Sequence, residues 1–338
     1  MKKQRHYVSL CFLLSFCLLL NACTVVYKQT GDVLIGYAEE EATPYMLASD
    51  DVGLGCSMVE SFAPFLLSFS RITTTPEQLA ILFYLVAGNC TEFKAWEEEL
   101  RYLRAIHTKN AIEAQDARIT QQRYLSQAAQ RQLIGYRYLN SAYPESDAEC
   151  PAFNTDDDEF YWLVGLISGL QAVLNDIASS GTVNVPLNMA AKIGRASMCL
   201  NNEKWWGVPE AIQAAILITI PSDKSADKNP KQMLDNSLKI AKQQGMKLSH
   251  ILAAQIYLGL GDTEKVKQII RDHADKTVHR SGNQAYKILN EVSNLQIQQF
   301  SDRLWTKATG KRTPIGKMGS FWDDSVKEIE IIDIDDML

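Results

Sequence analysis

The sequence predicts an all-α fold, a helical solenoid or bundle with a long helix in its N-terminal half. Apolar residues recur at helical spacing along most of the chain, and no alternating strand pattern occurs before the C-terminal tail. The longest periodic segment runs from Thr91 to about Tyr143 and has no glycine or proline before Gly135. A straight helix of that length would span about 75 Å. A break within residues 107–110 is the alternative.

The first 23 residues are typical of an export signal. Three basic residues precede an uncharged apolar run, residues 7–20, which is too short to span a bilayer comfortably. The run ends in Leu-Asn-Ala-Cys, which resembles the lipobox cut by lipoprotein signal peptidase. We therefore expect residues 1–22 to be removed and Cys23 to carry acyl chains such as palmitate. An uncleaved signal anchor and ordinary cleavage beside an incidental cysteine are the alternatives.

Acylation of Cys23 would place the mature chain outside the cytoplasm, with residues 23–41 as a tether. Thr24 is not the aspartate that commonly retains lipoproteins in the inner membrane, so we expect an outer-membrane anchor that faces the periplasm. Loss of residues 1–22 removes three basic residues and no acidic ones. Lys plus Arg then falls from 34 to 31 against 40 acids, and the net charge changes from −6 to −9. The chain therefore lacks the basic footprint of a nucleic-acid-binding protein.

Four cysteines remain in the mature chain after the acylated one. An even number in an oxidising compartment predicts two disulfides, each worth about 2–4 kcal/mol. Three pairings are open, and we favour the two that stay within one half of the chain. No CxxC motif occurs and no histidine is suitably spaced, so we expect no metal site. The favoured pairs are Cys56–Cys90 and Cys150–Cys199.

Residues 42–145 are predicted to form an N-terminal helical region. Pro44 is placed to open an apolar helix. Thr75 can cap a second helix, since proline and glutamate follow it at the first positions. That helix is predicted to stop near Gly88, before the long helix begins.

A change of pattern marks residues 144–158, which combine two prolines with an acidic run. The region after it, residues 146–308, is predicted to hold shorter helices in a degenerate tetratricopeptide-like repeat. One hairpin is expected at 248–273, where glycines and an aspartate make a tight helix–helix turn. An earlier unit is expected at 209–244. Such hairpins stack into a solenoid with a concave surface.

The C-terminal segment, residues 309–338, differs in composition. Residues 309–320 carry glycine, lysine, arginine and proline, and residues 321–338 contain seven acids and one lysine. One interpretation is a solvated flexible tail. The other is a segment that docks on a partner or on the chain's own helices.

Motifs of catalysis are missing from the sequence. It contains no GxSxG, no HExxH and no nucleotide-binding fingerprint, so we expect no enzyme activity and no cofactor. Aromatic residues are the better candidates for a ligand or interface site. Neighbouring residues of one helix point about 100° apart, so one of two adjacent tryptophans is expected to line a groove. Packing of helix against helix is the alternative for the aromatics, and an ion pair for the arginine. The candidates are Trp162, Arg195, Trp205, Trp206 and Tyr257.

Several segments together resemble the T component (TatT) of tripartite ATP-independent periplasmic (TRAP) transporters. In the second half they are Asp158–Trp162 with the two following glycines, Ile193–Ser197, Trp206–Ala211 and the hairpin that ends at Asp262. In the first half, residues 114–118 and 122–123 also match, and the likeness spans residues 45–275. The tail has no counterpart, and no ligand-contact motif carries over.

The resemblance implies a tetratricopeptide-like lipoprotein that partners a periplasmic solute-binding protein, as a homotrimer. It implies a small hydrophobic or organic-acid ligand that is bound and handed over without bond chemistry. A transport accessory of this kind predicts an apolar cavity lined by the candidate aromatics. A structural scaffold in envelope assembly predicts buried aromatics and a flat or polar concave surface. An enzyme of another type would need a cleft with converging titratable groups.

Overall fold

The computed structural model describes residues 24–144, 150–219, 229–275 and 282–324. Within these ranges the chain forms eleven helices and no strand, which confirms the all-α prediction. Cys23, which the sequence predicts to be acylated, lies outside the described residues. The helices are α1 (24–47, with a π-helical turn at Ala38–Ala42), α2 (Val52–Ser68), α3 (Glu77–His107), α4 (Ala111–Ala142), α5 (Asp156–Ala178), α6 (Asn188–Ala196), α7 (Val208–Thr219), α8 (Pro230–Gln244), α9 (Leu248–Gly259), α10 (Thr263–Ala274) and α11 (Lys287–Thr309).

The segment predicted to be a tether is helical instead. Residues 24–41 belong to α1, and Ile35 and Ala38 are buried in the main hydrophobic core. Gly31 is also buried, because the helix lies close to the end of α2 there. Residues 31, 35 and 38 are spaced to lie on one face of a helix, and this face packs against the protein. A flexible tether would not make such contacts.

The predicted long helix is divided into two helices that fold back on each other. Helix α3 ends at His107 and α4 begins at Ala111, at the break that the sequence left open. Lys109 adopts a left-handed conformation with φ of 57°. The Asn110 side chain then accepts a hydrogen bond from the Glu113 amide at 3.2 Å and caps α4.

The predicted helix end at Gly88 is wrong, because α3 continues through this residue to His107. The glycine is explained by close packing. A Cβ atom at Gly88 would lie 2.5 Å from Cγ of Gln132 on α4. The missing side chain therefore lets α3 and α4 approach each other, and the backbone stays helical.

Helix α5 lies in the centre of the fold. Thr155 and Asp158 form a capping box at its start, in which the side chain of each residue accepts a hydrogen bond from the backbone N–H of the other. Further along, Gly165 packs on Leu139 and Gly169 packs on Tyr136 of α4. These two glycines, one turn apart, bring α5 against α4.

One hydrophobic core extends across the predicted boundary at residues 144–158. It contains Leu82 and Leu133 from the first half together with Trp162 and Trp206 from the second. The two regions of the sequence therefore share one core among the described residues. A second, smaller core lies under the C-terminal hairpins and contains Leu234, Tyr257, Val266, Ile297 and Phe321.

Both predicted hairpins are present. Helix α7 packs against α8, α9 packs against α10, and α7 and α9 lie side by side. Asp262 caps α10 by accepting a hydrogen bond from the Lys265 amide at 3.1 Å. The left-handed Gly261 makes the turn before it, with φ of 74°.

The structure contains both favoured disulfides. Cys56–Cys90 joins α2 to α3, with 5.8 Å between the Cα atoms. Cys150–Cys199 joins the segment before α5 to the end of the turn after α6, with 5.4 Å between the Cα atoms. Each bond connects elements that are adjacent in the fold.

The first part of the predicted tail docks on the chain's own helices. Phe321 is buried, and the Lys267 ammonium lies 5.4 Å from its ring centroid. Lys267 also pairs with Asp323 at 2.5 Å, and Arg271 pairs with Asp324 at 2.7 Å. This agrees with the second interpretation for residues up to 324. Residues 325–338 lie outside the described ranges.

Candidate functional site: an apolar tract through the bundle

An apolar cavity of about 100 Å³ lies at the centre of the fold. Helices α2, α3, α5, α9 and α11 surround it, with the end of α1 and the start of α7. The Cys56–Cys90 disulfide forms part of its wall. Both halves of the chain therefore contribute to the same internal space.

Helical spacing explains why these side chains converge. Lining residues repeat every three or four positions on each helix, which places them on one face. Helix α5 contributes the longest such face, from Phe160 to Leu174, and α9 contributes a shorter one from Leu248 to Gln255. On α3 the lining residues are Leu82, Leu85, Val86, Asn89, Cys90 and Phe93.

A wider groove of about 760 Å³ adjoins this cavity. It runs between α5, α6, α7 and α9, and its walls are leucine, isoleucine, valine and alanine side chains in the main. Four residues line both spaces, so the groove and the cavity share a wall between α5 and α9. They are Leu170, Leu174, Leu252 and Gln255. We call the two spaces together the apolar tract.

The polar groups of the tract are uncharged. None of the described residues that line either space is Asp, Glu, Lys, Arg or His. The cavity wall instead carries four side-chain amides, each with a donor and an acceptor. They are Asn89, Gln171, Gln255 and Gln296.

Two of these amides belong to a buried polar network between α3, α4 and α5. Gln132 donates to Asn89 at 3.3 Å and to Gln171 at 3.4 Å. Asn175 donates to Gln132 at 2.9 Å and to Glu92 at 3.3 Å. The network therefore connects the cavity wall to a buried carboxyl group.

Glu92 is 7% exposed and lies at the far side of this network. Burial removes water from its carboxylate and raises its pKa above the ordinary value of 4.5, against the opposite effect of hydrogen bonds from Asn175 and Gln132. The folded state thus favours the protonated acid more than the unfolded state does. Its contribution to stability is greatest below the ordinary pKa and decreases as the pH rises above it.

We expect Glu92→Gln to stabilise the fold at neutral pH. Each unit between the folded and unfolded pKa is worth about 1.4 kcal/mol, and the amide does not ionise. The difference in free energy of unfolding between variant and wild type should vanish in acid and grow from pH 4.5 upward. Urea denaturation across the pH range measures it. Glu203→Gln, which removes an exposed carboxylate, is the matched control; equal pH profiles for the two variants would contradict this account.

The three candidate tryptophans lie in the core and not on the tract. Trp162 is 1% exposed, and its indole N–H donates to the Ala196 carbonyl at 3.1 Å. Trp205 is buried and donates to Glu159 at 2.5 Å, while Trp206 is buried beside Tyr286, with 5.4 Å between ring centroids. None of the three therefore lines either space of the tract.

The backbone conformation at Trp205 and Trp206 explains why both rings are buried. Trp205 and Trp206 precede α7 in a turn, and Trp206 has a left-handed φ of 58°. The angle of 100° between neighbours applies only within a helix, so both rings reach the same core. They meet edge to face with 5.4 Å between centroids.

The other two candidates are also separate from the tract. Tyr257 is buried in the smaller core, with the Lys265 ammonium 5.7 Å from its ring centroid. Arg195 is exposed on α6 and does not line the groove. The five candidates are thus not brought together into one site.

Sequence reasoning missed the residues that do form the tract, although a signal was present. Asn89, Gln171 and Gln255 each interrupt an otherwise apolar helical face. A neutral amide within such a face indicates a polar group that the interior must satisfy. Which helices would share the space depends on tertiary packing, and one sequence does not reveal that.

Histidines form a pair that the sequence did not indicate. The Nδ1 atoms of His250 and His273 lie 3.2 Å apart, and both residues are buried. His273 also contacts Asn294 at 2.9 Å. Among the described residues, no group of three or more His, Cys, Asp or Glu side chains is arranged to hold a metal ion.

No protein-family model, no curated protein and no solved structure matches this chain.

Proposed function

We propose that this chain is a lipid-anchored binding protein of the outer membrane, facing the periplasm, that holds an apolar ligand in the tract. The observation that carries the proposal is the wide apolar groove beside the apolar cavity, with a wall between α5 and α9 that both spaces share. The groove volume, about 760 Å³, falls in the usual range of small-molecule sites, about 300–1,000 Å³. The cavity beyond it accepts one end of the ligand.

The lining favours a hydrophobic ligand over an organic acid. Burying a carboxylate without a partner costs several kcal/mol, and no described lining residue carries a positive charge. The amides on the cavity wall, Asn89 and Gln171 among them, can bind one neutral polar group such as an ester, an alcohol or an amide. We therefore infer an uncharged, mainly apolar ligand.

We further propose that the protein is an accessory of a TRAP-type solute transport system and partners a solute-binding protein, as a homotrimer. This part rests on the resemblance of residues 45–275 to the TatT family. Binding and hand-over of an apolar solute requires a space that opens to the surface, and the groove provides one. No bond chemistry is needed, which is consistent with uncharged walls.

A structural scaffold in cell-envelope assembly is the second candidate. The burial of Trp162, Trp205, Trp206 and Tyr257 favours it, since a scaffold uses aromatics for packing. A scaffold also predicts a flat or polar concave surface. The apolar groove argues for ligand binding instead.

Purification of the exported protein after mild cross-linking, followed by mass spectrometry of proteins and small molecules, tests both parts. We expect a solute-binding protein among the captured partners and an uncharged apolar molecule in the purified wild type. Ala191→Trp, which places an indole in the groove, should lose the small molecule. Lys192→Trp is the control, since its neighbouring side chain does not line the groove. Capture of only envelope-assembly subunits, with no small molecule, would support the scaffold.

A further inference from the structure

Exposed apolar side chains are concentrated in the first two helices and the turn after them. Of the twenty exposed large hydrophobic residues in the described ranges, ten lie between Val25 and Ile72. Single exposed apolar residues are common on proteins, but a concentration of them marks an interaction surface.

The outer face of α2 carries three of these ten residues. Leu54, Phe62 and Phe65 are 68%, 51% and 49% exposed, and their spacing places them on one side of the helix. The segment Val52–Arg71 is apolar enough to cross a membrane by composition, yet only 17% of it is buried inside the protein. The similarly apolar α5 is 78% buried. Helix α2 therefore exposes much of its apolar surface, whereas α5 buries most of its apolar surface in the core.

Two hydroxyls and the one charged group of α2 have partners within the protein. The hydroxyl of Ser57 donates to the Gly53 carbonyl at 3.1 Å, and that of Ser68 donates to the Phe65 carbonyl at 2.6 Å. Glu60 is the helix's one charged residue between Val52 and Ser68, and Arg131 of α4 pairs with it at 3.0 Å. An apolar medium offers polar groups no hydrogen-bond partners, so groups that face it need partners within the protein.

The expected anchor is attached beside this face. A Cβ atom at Gly31 would lie 2.7 Å from the ring of Phe69, so α1 passes close to the C-terminal end of α2. Thr24 lies seven residues earlier, which is about 10 Å along a helix. An acylated Cys23 and an uncleaved signal anchor both place a membrane-inserted group directly before Thr24. Either one holds the end of α2 near the bilayer.

We propose that the first turns of α1 and the outer face of α2 lie in the interfacial region of the membrane that holds the anchor. The protein is then seated on the bilayer along this face and does not hang from a flexible tether. Phe62 and Phe65 enter the boundary between headgroups and acyl chains, as apolar faces of interfacial helices do. The proposal rests on the membrane-anchor part of the proposed function and is independent of the ligand tract.

Quenching of tryptophan fluorescence by brominated lipid tests the seating. The full acylated protein carrying Phe62→Trp is reconstituted into phosphatidylcholine vesicles with and without bromine on the acyl chains. We expect the added tryptophan to lose fluorescence in the brominated vesicles. Ile315→Trp, at a fully exposed position in the C-terminal segment, should not. The six native tryptophans are common to both variants, and the wild type measures their contribution.

Equal quenching of Phe62→Trp and Ile315→Trp would overturn the proposal. Phe65→Trp repeats the measurement if circular dichroism shows that the first variant is misfolded. If the mass in detergent is a multiple of one chain and Phe62→Glu reduces it to one, the face is an interface between copies and the proposal is wrong. Cys23→Ser tests the anchor separately: its release from membranes supports acylation, whereas quenching of Phe62→Trp decides the seating.

Discussion

Gly207→Ala should lower the free energy of unfolding by about 2–5 kcal/mol, the sum of backbone strain and overpacking. Gly207 has φ of +78°, which an alanine adopts only with strain. A Cβ atom there would lie 2.6 Å from the Ser237 carbonyl oxygen and 2.9 Å from its Cα atom. Both are backbone atoms of α8, so no side-chain rotation relieves the clash. Urea denaturation followed by circular dichroism measures the loss.

The chain offers a matched control for this substitution. Gly261 has a similar φ of +74°, but nothing lies within 4 Å of the position that a Cβ atom would occupy. Gly261→Ala should therefore cost only the strain of the left-handed backbone, about 1–2 kcal/mol. Equal losses for the two variants would show that α8 does not pack on the turn as described.

Trp162→Ala is expected to cost about 3–5 kcal/mol of stability, as truncation of a large buried aromatic does. The ring is 1% exposed and meets Tyr143 and Phe153 edge to face, with centroids 5.8 and 5.9 Å away. Its loss leaves a cavity and removes the donor to the Ala196 carbonyl. Thermal and urea denaturation both measure the effect.

Trp162→Phe separates packing from hydrogen bonding. It keeps most of the ring contacts and loses the indole N–H, so we expect a smaller cost of about 1–2 kcal/mol. Because Trp162 does not line the tract, a folded variant should bind an apolar ligand as the wild type does. Loss of ligand binding with unchanged stability would instead restore the earlier hypothesis that this tryptophan is a ligand contact.

Much of the fold followed from the sequence because helices leave local signals. The capping residue Asp262 and the turn at Gly261 mark a helix boundary through hydrogen bonds within a few residues. The two disulfide pairs also followed, since export limited the cysteines to four and each favoured pair stays within one half of the chain.

Features that depend on distant contacts were missed. Gly88 has the sequence appearance of a helix end, but it serves the approach of α4, which only the folded chain reveals. The tryptophan pair was placed on a helix, whereas the left-handed Trp206 lies in a turn. The tract joins residues from Met46 to Gln296, and no local pattern relates them.

The most direct test of the central claim, that the tract holds an uncharged apolar ligand, is a fluorescence titration with cis-parinaric acid and its methyl ester. The protein used is the chain from residue 24 onward, which keeps all eleven described helices. At neutral pH the ester should bind, with the acid at least about tenfold weaker, a difference of about 1.4 kcal/mol. Ala191→Trp should abolish ester binding, and Lys192→Trp should leave it unchanged. Equal affinity for acid and ester, or ester binding that Ala191→Trp does not alter, would contradict the account.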